Sequence, residues 1–566
     1  MTGLCLNATN TWRRQMSCDR KLRIGLAWPV LALACTGWMH ACGGDDSSSS
    51  STTPPATTTS PTNTVFSCDS MSLSQVKLDS ASVTNATAIP ASSFTPPGAS
   101  TALSGLPAFC RIQAKANPTS DSLINFEVWV PTDGSWNGKL VTTGNGGYSP
   151  ALSYGDMAYA MRQGYAVIGG DTGHQSTDPN EMFWGVGHPD KIADWGTRSI
   201  HAITAPGKTL IASLQSKAPS RAYYYGCSTG GHQGYAEIQQ YPQDFDGVIA
   251  GAPGNNRIRL NVEFMHRFLS NRTPGNNATL ILPASKMGMV TSAAVAACDS
   301  LDGVTDGAME DPRVCTTAQF NVDSLLCTGV DGPNCLTQPQ IDVVKKIYAG
   351  PKNPRTGEQL YPGLTVGSEA GWSSYWGVSE PTRADFWRLW VFDNPRWDWW
   401  TFDYDRDVTY ADAKVGKLVD QRNPDISAFK ARGGKAIVYQ GWADPVVNPQ
   451  DTIAYYNAVQ TLQGSQKEMD SFFRLFLVPS MGHCGGGSSA TVFGNAGTAS
   501  PTIDATHDVL RALDNWVDKG VAPDNIVASK VANGAATRTR PLCPYPRKAI
   551  YKGSGSTDDA ANFTCG

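Results

Sequence analysis

The chain has 566 residues, of which 41% are hydrophobic and 17% are charged, and its formal net charge is −4 at pH 7. This composition is typical of a globular protein, and it excludes an intrinsically disordered chain and a strongly basic nucleic-acid-binding protein. The length allows a large core and more than one domain.

The N-terminal part of the chain carries the signals of export. In residues 1–42 a basic cluster precedes the apolar run 24–34, which has the order of a signal peptide and is too short for a membrane span. Cys42, followed by Gly-Gly-Asp-Asp, resembles the start of a bacterial lipoprotein, and Cys35 is the alternative lipidation site. Residues 43–65 are rich in Ser and Thr, and predict a flexible tether. We therefore expect a secreted, periplasmic or lipid-anchored outer-membrane protein.

An α/β fold is predicted for residues 66–253 and 431–566, where strands and helices alternate as in a mainly parallel sheet covered by helices. Strands are predicted at 123–130, 139–143, 165–174 (with its loop), 223–225, 248–253, 435–440 and 472–478. Helices are predicted at 194–214 with a break at Pro206-Gly207, at 232–240 and at 505–519. Residues 254–430 lack this alternation and contain a dense aromatic block, which predicts an inserted lid domain.

A nucleophile elbow is predicted at residues 226–230, Gly-Cys-Ser-Thr-Gly. The segment fits G-x-S-x-G and stands between a predicted strand and a predicted helix, which is the context that the motif requires. Glycines flank the serine because a side chain there would collide with neighbouring backbone. Ser228 is therefore the candidate nucleophile of an α/β-hydrolase fold.

A serine hydroxyl needs a base, and the base needs a carboxylate that orients it. In α/β-hydrolases these residues follow the serine in the order acid, then histidine. Asp444 and His483 each come directly after a predicted strand, and His507 is predicted to lie in an amphipathic helix, where a packing role is expected. We predict a triad of Ser228, Asp444 and His483; the alternatives are a turn aspartate and an ordinary loop histidine.

A glycine-rich loop at 144–148 follows the strand 139–143 and precedes the elbow. Such a loop supplies one amide of the oxyanion hole, and the residue after the nucleophile supplies the other. The predicted donors are Thr229 and either Gly146 or Gly147. A plain glycine turn is the alternative.

Ten cysteines follow residue 42, and an even number in an exported chain predicts disulfides, with a few free thiols as the alternative. Local spacing suggests the pairs Cys298–Cys315, Cys327–Cys335 and Cys543–Cys565. Cys227 precedes Ser228 and Cys484 follows His483. If the serine and the histidine are in contact, these two cysteines are close enough for a disulfide that joins the two loops.

The Cys-Ser…Asp…His-Cys pattern resembles the tannase and feruloyl esterase family, from about Cys68 to the C-terminus. The motifs that carry the resemblance are 171–174, 226–231, 246–253, 441–445 and 482–484. The resemblance implies an α/β-hydrolase with a lid, a Ser228/Asp444/His483 triad and a Cys227–Cys484 disulfide. It also implies the pairs Cys68–Cys110 and Cys543–Cys565.

The segment 298–308 is a candidate calcium loop, because calcium takes six to eight oxygen ligands from carboxylates and carbonyls. The candidate ligands are the side chains of Asp299, Asp302 and Asp306 and the carbonyls of Val304 and Ala308. The spacing is not that of an EF-hand, and a solvated turn is equally consistent with the chemistry alone. The segment resembles the lid calcium site of the family, which implies a structural Ca²⁺.

The aromatic block at 386–402 offers flat apolar surface for a planar acyl group. Trp390 and Trp397 are candidate contacts, and Arg388 or Arg396 could pair with a substrate carboxylate. Lid-core aromatics and structural ion pairs are the alternatives.

We predict an exported serine carboxylesterase that hydrolyses esters of aromatic acids through an acyl-enzyme, without an organic cofactor or a nucleic-acid partner. A feruloyl esterase is the leading interpretation, followed by a tannase and a mono(hydroxyethyl) terephthalate hydrolase. A catalytically silent surface binding module and a peptidase are the alternatives from other classes.

Overall fold

The computed structural model describes residues 66–148, 151–174, 176, 178 and 180–566. The predicted leader, the tether and the candidate lipid attachment site at Cys42 lie outside these residues. Within the part of the chain that is described, no helix combines the length and the apolar character needed to span a membrane.

A nine-stranded mixed sheet forms the centre of the fold, in the order β1-β4-β5-β7-β6-β8-β9-β10-β11. The strands from β7 to β11 pair in parallel, and β1, β4 and β5 form an antiparallel edge. The strands are β1 (Ala81–Ile89), β2 (Ser92–Phe94), β3 (Leu103–Leu106), β4 (Phe109–Ala116), β5 (Ile124–Pro131), β6 (Lys139–Thr143), β7 (Ala166–Gly170), β8 (Arg221–Cys227), β9 (Gly247–Gly251), β10 (Lys435–Gly441), β11 (Phe473–Val478), β12 (Ile526–Ala532), β13 (Ala535–Leu542), β14 (Ala549–Tyr551) and β15 (Phe563–Cys565).

Helices cover both faces of this sheet, so the parallel strands are buried on both sides and the prediction of an α/β-hydrolase fold is confirmed. One face packs against α4, α5 and α11, and the other against α2 and α13. The helices are α1 (Ser70–Leu73), α2 (Tyr154–Arg162), α3 (Pro189–Ala193), α4 (Ser199–Gln215), α5 (Thr229–Gln240), α6 (Arg257–Ser270), α7 (Met287–Cys298), α8 (Gln338–Ala349), α9 (Arg406–Val419), α10 (Ser427–Ala431), α11 (Pro449–Gln463), α12 (Gln466–Asp470) and α13 (Val509–Lys519).

The segment 254–430, which we call the lid segment, is described throughout and adds no strand to the central sheet. It leaves the sheet after β9 and returns at β10. Its helices α6 to α9 pack in two apolar clusters, one rich in tryptophan that also includes residues from outside the lid segment and one centred on α7 and α8. The last helix, α10, packs against the core of the central sheet through Phe429. In the sequence, the lid segment therefore lies between the strand that precedes Ser228 and the strand that precedes Asp444.

Two helix predictions were wrong. The helix α4 continues through Pro206. Gly207 does not break the helix; it lets the helix pack closely on β7, since a side chain on Gly207 would lie 2.2 Å from the Ile168 side chain. The last helix begins at Val509 and not at 505, because Asp508 caps it by accepting hydrogen bonds from the amides of its first turn. His507 consequently lies before the helix, where it hydrogen-bonds Asp504.

Candidate active site

The predicted elbow lies where β8 meets α5. Ser228 has φ 64° and ψ −117°, a backbone conformation that residues with a side chain rarely adopt. The glycines allow this tight turn: a side chain on Gly231 would lie 2.1 Å from the Gly251 carbonyl, and one on Gly226 would lie 2.9 Å from the Gly230 backbone. The turn leaves the serine partly exposed at the carboxyl end of a central strand.

The structure brings the three predicted triad residues into one hydrogen-bonded chain. Ser228 Oγ lies 2.8 Å from His483 Nε2, and His483 Nδ1 lies 2.9 Å from Asp444 Oδ2. Because an ionised carboxylate can only accept, the proton of the neutral imidazole is on Nδ1, and Nε2 is free to accept the serine proton. The chain therefore has the geometry of a nucleophile, a base and an orienting acid.

The Asp444 carboxylate is fully buried and is held by several donors. Its Oδ1 accepts hydrogen bonds from the amides of Val446 (2.8 Å) and Val447 (3.0 Å), and its Oδ2 accepts one from Gln440 Nε2 at 3.0 Å. These donors fix the orientation of the carboxylate that in turn orients the histidine.

A disulfide joins the serine loop to the histidine loop. Cys227 and Cys484 are bonded across 257 positions of sequence, with their Cα atoms 6.0 Å apart. All ten cysteines of the described residues pair as predicted from the sequence: Cys68–Cys110, Cys227–Cys484, Cys298–Cys315, Cys327–Cys335 and Cys543–Cys565. The neighbours of the nucleophile and of the base are thus covalently tied.

The glycine-rich loop follows β6 and lies against the start of α5. The Gly144 amide donates to the Tyr225 carbonyl at 3.0 Å, and Gly147 has a left-handed φ of 58°. The Gly147 carbonyl accepts the Thr229 hydroxyl at 2.9 Å, whereas Gly146 is exposed and has open space around it. Since Thr229 is the first residue of α5, its amide belongs to the unpaired first turn of a helix, the kind of group that binds a negative charge. The loop and the helix therefore offer donors of the kind that an oxyanion requires.

A buried arginine that sequence reasoning missed supports this loop. Arg257 Nη2 donates to the Thr229 hydroxyl at 3.3 Å, and its guanidinium lies over the Trp195 ring, 5.0 Å from the ring centroid. Trp195 in turn donates its indole N–H to the Gly147 carbonyl at 3.1 Å. Burial lowers the pKa of Arg257 to about 10. One arginine in a helical segment of the lid gives no sequence signal for this contact.

A second arginine, Arg383, lies among three aromatic rings near the triad. Its guanidinium carbon is 5.1 Å from the Tyr148 ring and 5.6 Å from each of the Phe264 and Tyr375 rings. Phe264 and Tyr375 pack in one cluster with the two halves of the Cys227–Cys484 disulfide. Among the residues with described positions, no carboxylate is within ion-pair distance of Arg383, whose φ is 58°. We call these four residues the aromatic–arginine cluster.

Three of the four predicted lid contacts have partners within the protein. Arg388 pairs with Glu380 at 2.8 Å and with Asp385 at 2.5 Å. Trp390 is buried and donates to the Met182 carbonyl at 3.0 Å. Trp397 stacks on Phe392 with ring centroids 4.7 Å apart, and Arg396 is exposed. The contacts of Arg388, Trp390 and Trp397 agree with the alternatives of a lid core and of structural ion pairs, and contact of the four residues with substrate stays a prediction.

The candidate calcium loop contains three carboxylates, and burial, together with the charges of Asp306 and Asp299, raises the pKa of Asp302. In the structure Asp299 accepts the amides of Gly307 and Ala308, and Asp306 pairs with Arg540. No three His, Cys, Asp or Glu side chains form a metal-binding group within the described residues. The oxygen donors of this loop suit calcium, whereas the ion pair of Asp306 with Arg540 already neutralises one of the candidate ligands. Calcium binding stays a prediction.

Comparisons with known proteins agree with this geometry. The family model for tannase and feruloyl esterase matches residues 110–566. An uncharacterized esterase of Xanthomonas campestris pv. campestris is 37% identical over 525 residues, which cover 87% of this chain and 90% of that protein. The crystal structure of feruloyl esterase B from Aspergillus oryzae has a TM-score of 0.81 and 31% identity, covering 88% of this chain and 99% of that one. Tannin acyl hydrolase from Aspergillus niger, at 17% identity and a TM-score of 0.69 over 88% of this chain and 96% of that one, shares the fold. The chain therefore belongs to the tannase and feruloyl esterase family of carboxylic ester hydrolases.

Proposed function

We propose that this protein is an exported serine esterase of aromatic-acid esters, and that esters of hydroxycinnamic acids such as ferulate are its main substrates. The observation that carries the proposal is the hydrogen-bonded chain Ser228–His483–Asp444 at the elbow of an α/β-hydrolase. A binding module has no need of a nucleophile, a base and an orienting acid in contact.

The proposed reaction follows from the positions of these atoms. Ser228 Oγ attacks the ester carbonyl carbon and its proton passes to His483 Nε2. The amides of Thr229 and of Gly146 or Gly147 donate to the oxyanion. His483 then gives the proton to the alcohol oxygen as the C–O bond breaks, and the acyl group remains on Ser228. Water then attacks the acyl carbon and gives a proton to His483 Nε2. The histidine passes this proton to Ser228 Oγ as the acyl–oxygen bond breaks, and the acid is released.

The aromatic–arginine cluster supports an aromatic acyl group. Phe264 and Tyr375 pack in one cluster with the disulfide that flanks the serine, and Tyr375 is partly exposed, so its ring offers flat surface to a planar acyl group bound to Ser228. The similarity to feruloyl esterase B, at 31% identity, favours hydroxycinnamic acids over gallic acid. A tannase is the second candidate, because the family model covers both activities.

The test is a panel of methyl ferulate, methyl gallate, mono(hydroxyethyl) terephthalate and p-nitrophenyl butyrate, with Ser228→Ala as the control. We expect the highest kcat/KM on methyl ferulate and no turnover above background by the variant. Turnover of the butyrate alone would contradict the aromatic-acid assignment. No turnover at all, together with no labelling by a serine-directed phosphonate, would favour a binding module.

Export is supported by the five disulfides, which persist in oxidising compartments. Lipid attachment at Cys42 is tested by metabolic labelling with a palmitate analogue in a host that processes bacterial lipoproteins. Labelling that disappears in Cys42→Ala would support the anchor, and an unlabelled protein in the culture medium would support secretion.

A further inference from the structure

A glutamine is buried in the strand that leads to the catalytic acid. Gln440 lies in β10 after Ala, Ile, Val and Tyr, and its side chain is fully buried. A buried amide costs free energy unless its hydrogen-bonding groups have partners. An apolar side chain would suit this strand, so the reason for an amide must lie in the partners that it finds.

The Gln440 amide uses both its nitrogen and its oxygen. Nε2 donates to Asp444 Oδ2 and to the Val447 carbonyl, at 3.0 Å each. Oε1 accepts the hydroxyl of Thr452, a buried residue of α11, at 3.0 Å. A carbonyl only accepts hydrogen bonds, so the NH₂ group of the amide must be the end that faces Val447 and Asp444.

We propose that Gln440 is a positioning residue of the catalytic chain, that it holds Asp444 Oδ2 at the His483 imidazole, and that Thr452 holds Gln440 in place. The inference rests on the proposed esterase reaction and adds two residues to it. Both residues are buried, so their effect is on the rate of bond breaking and not on the choice of ester.

The two oxygens of the Asp444 carboxylate have different partners. Oδ1 accepts amides of its own loop, from Val446 and Val447. Oδ2 accepts His483 Nδ1 at 2.9 Å, and within the described part of the chain its one other donor is Gln440. The strand β10 lies between β9 and β11 inside the sheet, so Gln440 is the donor that ties Oδ2 to a rigid element. Without it, Oδ2 would be held by the histidine that it has to orient.

Two ionisable groups face Asp444 from other elements. One is His483, and the other is Tyr361 of the lid segment, where burial and, to a smaller extent, the Asp444 charge raise the pKa of the phenol. Asp451 of α11 instead accepts Asn256 Nδ2 at 2.9 Å, and burial raises its pKa to about 6. These groups are the same in every variant of residue 440, so a comparison at equal pH isolates the group placed there.

The test compares Gln440→Met with Gln440→Glu by their kcat on p-nitrophenyl butyrate, an ester that needs the catalytic chain and no aromatic acyl site. Gln440→Met keeps the size of the side chain and removes the donor. We expect it to lower kcat by at least about tenfold with KM unchanged, because a hydrogen bond to a charged group is lost.

Gln440→Glu supplies a donor only while the new carboxyl is protonated, because two carboxyls about 3 Å apart share a proton. We therefore expect its kcat to exceed that of Gln440→Met at the acidic end of the pH profile, and this advantage to shrink as the pH rises and the shared proton is lost. An unchanged kcat in Gln440→Met would overturn the proposal, as would a Gln440→Glu variant that equals Gln440→Met at every pH.

The other end of the amide gives a second test that holds if the variants of Gln440 do not fold. Thr452→Val removes the hydroxyl and Thr452→Ser keeps it. We expect about a threefold lower kcat in the first variant, the effect of one neutral hydrogen bond, and an unchanged kcat in the second. Equal kcat values in the two variants would contradict the part assigned to Thr452.

Val438→Ala is the control for a loosened strand. Val438 is fully buried two positions before Gln440, on the same face of β10. We expect this variant to lose stability in urea unfolding and to keep its kcat. A loss of kcat equal to that of Gln440→Met would overturn the proposal. Failure of the proposed function is a separate result, because the unaltered protein would then hydrolyse no ester.

Discussion

The disulfide between the serine loop and the histidine loop leads to a quantitative prediction. Removing it by Cys227→Ala with Cys484→Ala opens a loop of 257 residues, for which the chain-entropy relation gives about 5.5 kcal/mol of lost stability. The lid provides a matched control. Cys327→Ala with Cys335→Ala opens a loop of 8 residues, for which the same relation gives about 2.5 kcal/mol. The two double variants should thus differ by roughly 3 kcal/mol in the free energy of unfolding.

The two variants should also differ in catalysis. The Cys227–Cys484 bond is adjacent in sequence to both ends of the 2.8 Å contact between Ser228 and His483, and the lid bond lies outside both catalytic loops. A misplacement of about 1 Å lowers the rate up to about 10²-fold, so kcat should fall by at least about tenfold in the first variant. The kcat of the lid variant should be unchanged.

Urea unfolding followed by tryptophan fluorescence measures the stabilities, and kcat is measured at a urea concentration and temperature where both variants are folded. Equal losses of stability would refute the loop-length reasoning. An unchanged kcat in the first variant would show that packing alone holds the two loops. Peptide mapping under non-reducing conditions that found Cys227 as a free thiol would remove the premise.

Four further predictions follow from the same structure. Asp444→Asn should lower kcat by about 10⁴-fold with little change in KM, because it removes the acceptor that sets the histidine tautomer. Thr229→Val and Arg257→Leu should each lower kcat by about tenfold, because the Thr229 hydroxyl holds the Gly147 carbonyl; Thr229→Ser, which keeps the hydroxyl, should retain the kcat of the unaltered protein. The affinity for an arylboronic acid should fall in parallel with kcat. A purely structural role of these residues would leave that affinity intact. Burial raises the pKa of Asp156 from 3.8 to about 7, so the native state keeps a proton that the unfolded chain releases, and the free energy of unfolding should fall as the pH rises through this window; Asp156→Asn should flatten that dependence in denaturation curves recorded at several pH values. Calcium, if bound at the candidate loop, should raise Tm in a way that EGTA reverses and that Asp302→Asn abolishes; a Tm insensitive to both would reject the site.

The elements predicted well from the sequence are those with a local cause. The strands before the elbow, before Asp444 and before His483 were predicted as apolar runs, because parallel strands buried on both faces are apolar throughout. The pairing of nearby cysteines follows from short loops. In contrast, the edge strand β1 and the C-terminal hairpin β12–β13 have a polar face and short apolar runs, so no run marked them.

The residues that the sequence could not identify act through contacts made only after folding. Arg257 reaches the Thr229 hydroxyl across 28 positions, and Arg383 meets rings that come from three separate parts of the chain. Arg388 was predicted as a possible partner of a substrate carboxylate, yet carboxylates three and eight positions away hold it in ion pairs. Which arginine lacks a carboxylate partner among the described residues depends on tertiary packing and has no local signature.

The insertion point of the lid segment explains how chemistry and selectivity are divided. The oxyanion loop, the serine, the acid and the histidine follow the carboxyl ends of β6, β8, β10 and β11, and all four strands run parallel in the same sheet. Loops at one edge of such a sheet converge whatever the sequence between them. The lid leaves that same edge after β9, and it supplies Phe264 and Tyr375 to the packing around the Cys227–Cys484 disulfide and residues of 291–312 and 366–371 to the wall of a cavity that His483 also lines. Substitutions in the lid should therefore change which esters are accepted, whereas the rate of bond breaking is determined by residues that the sheet positions.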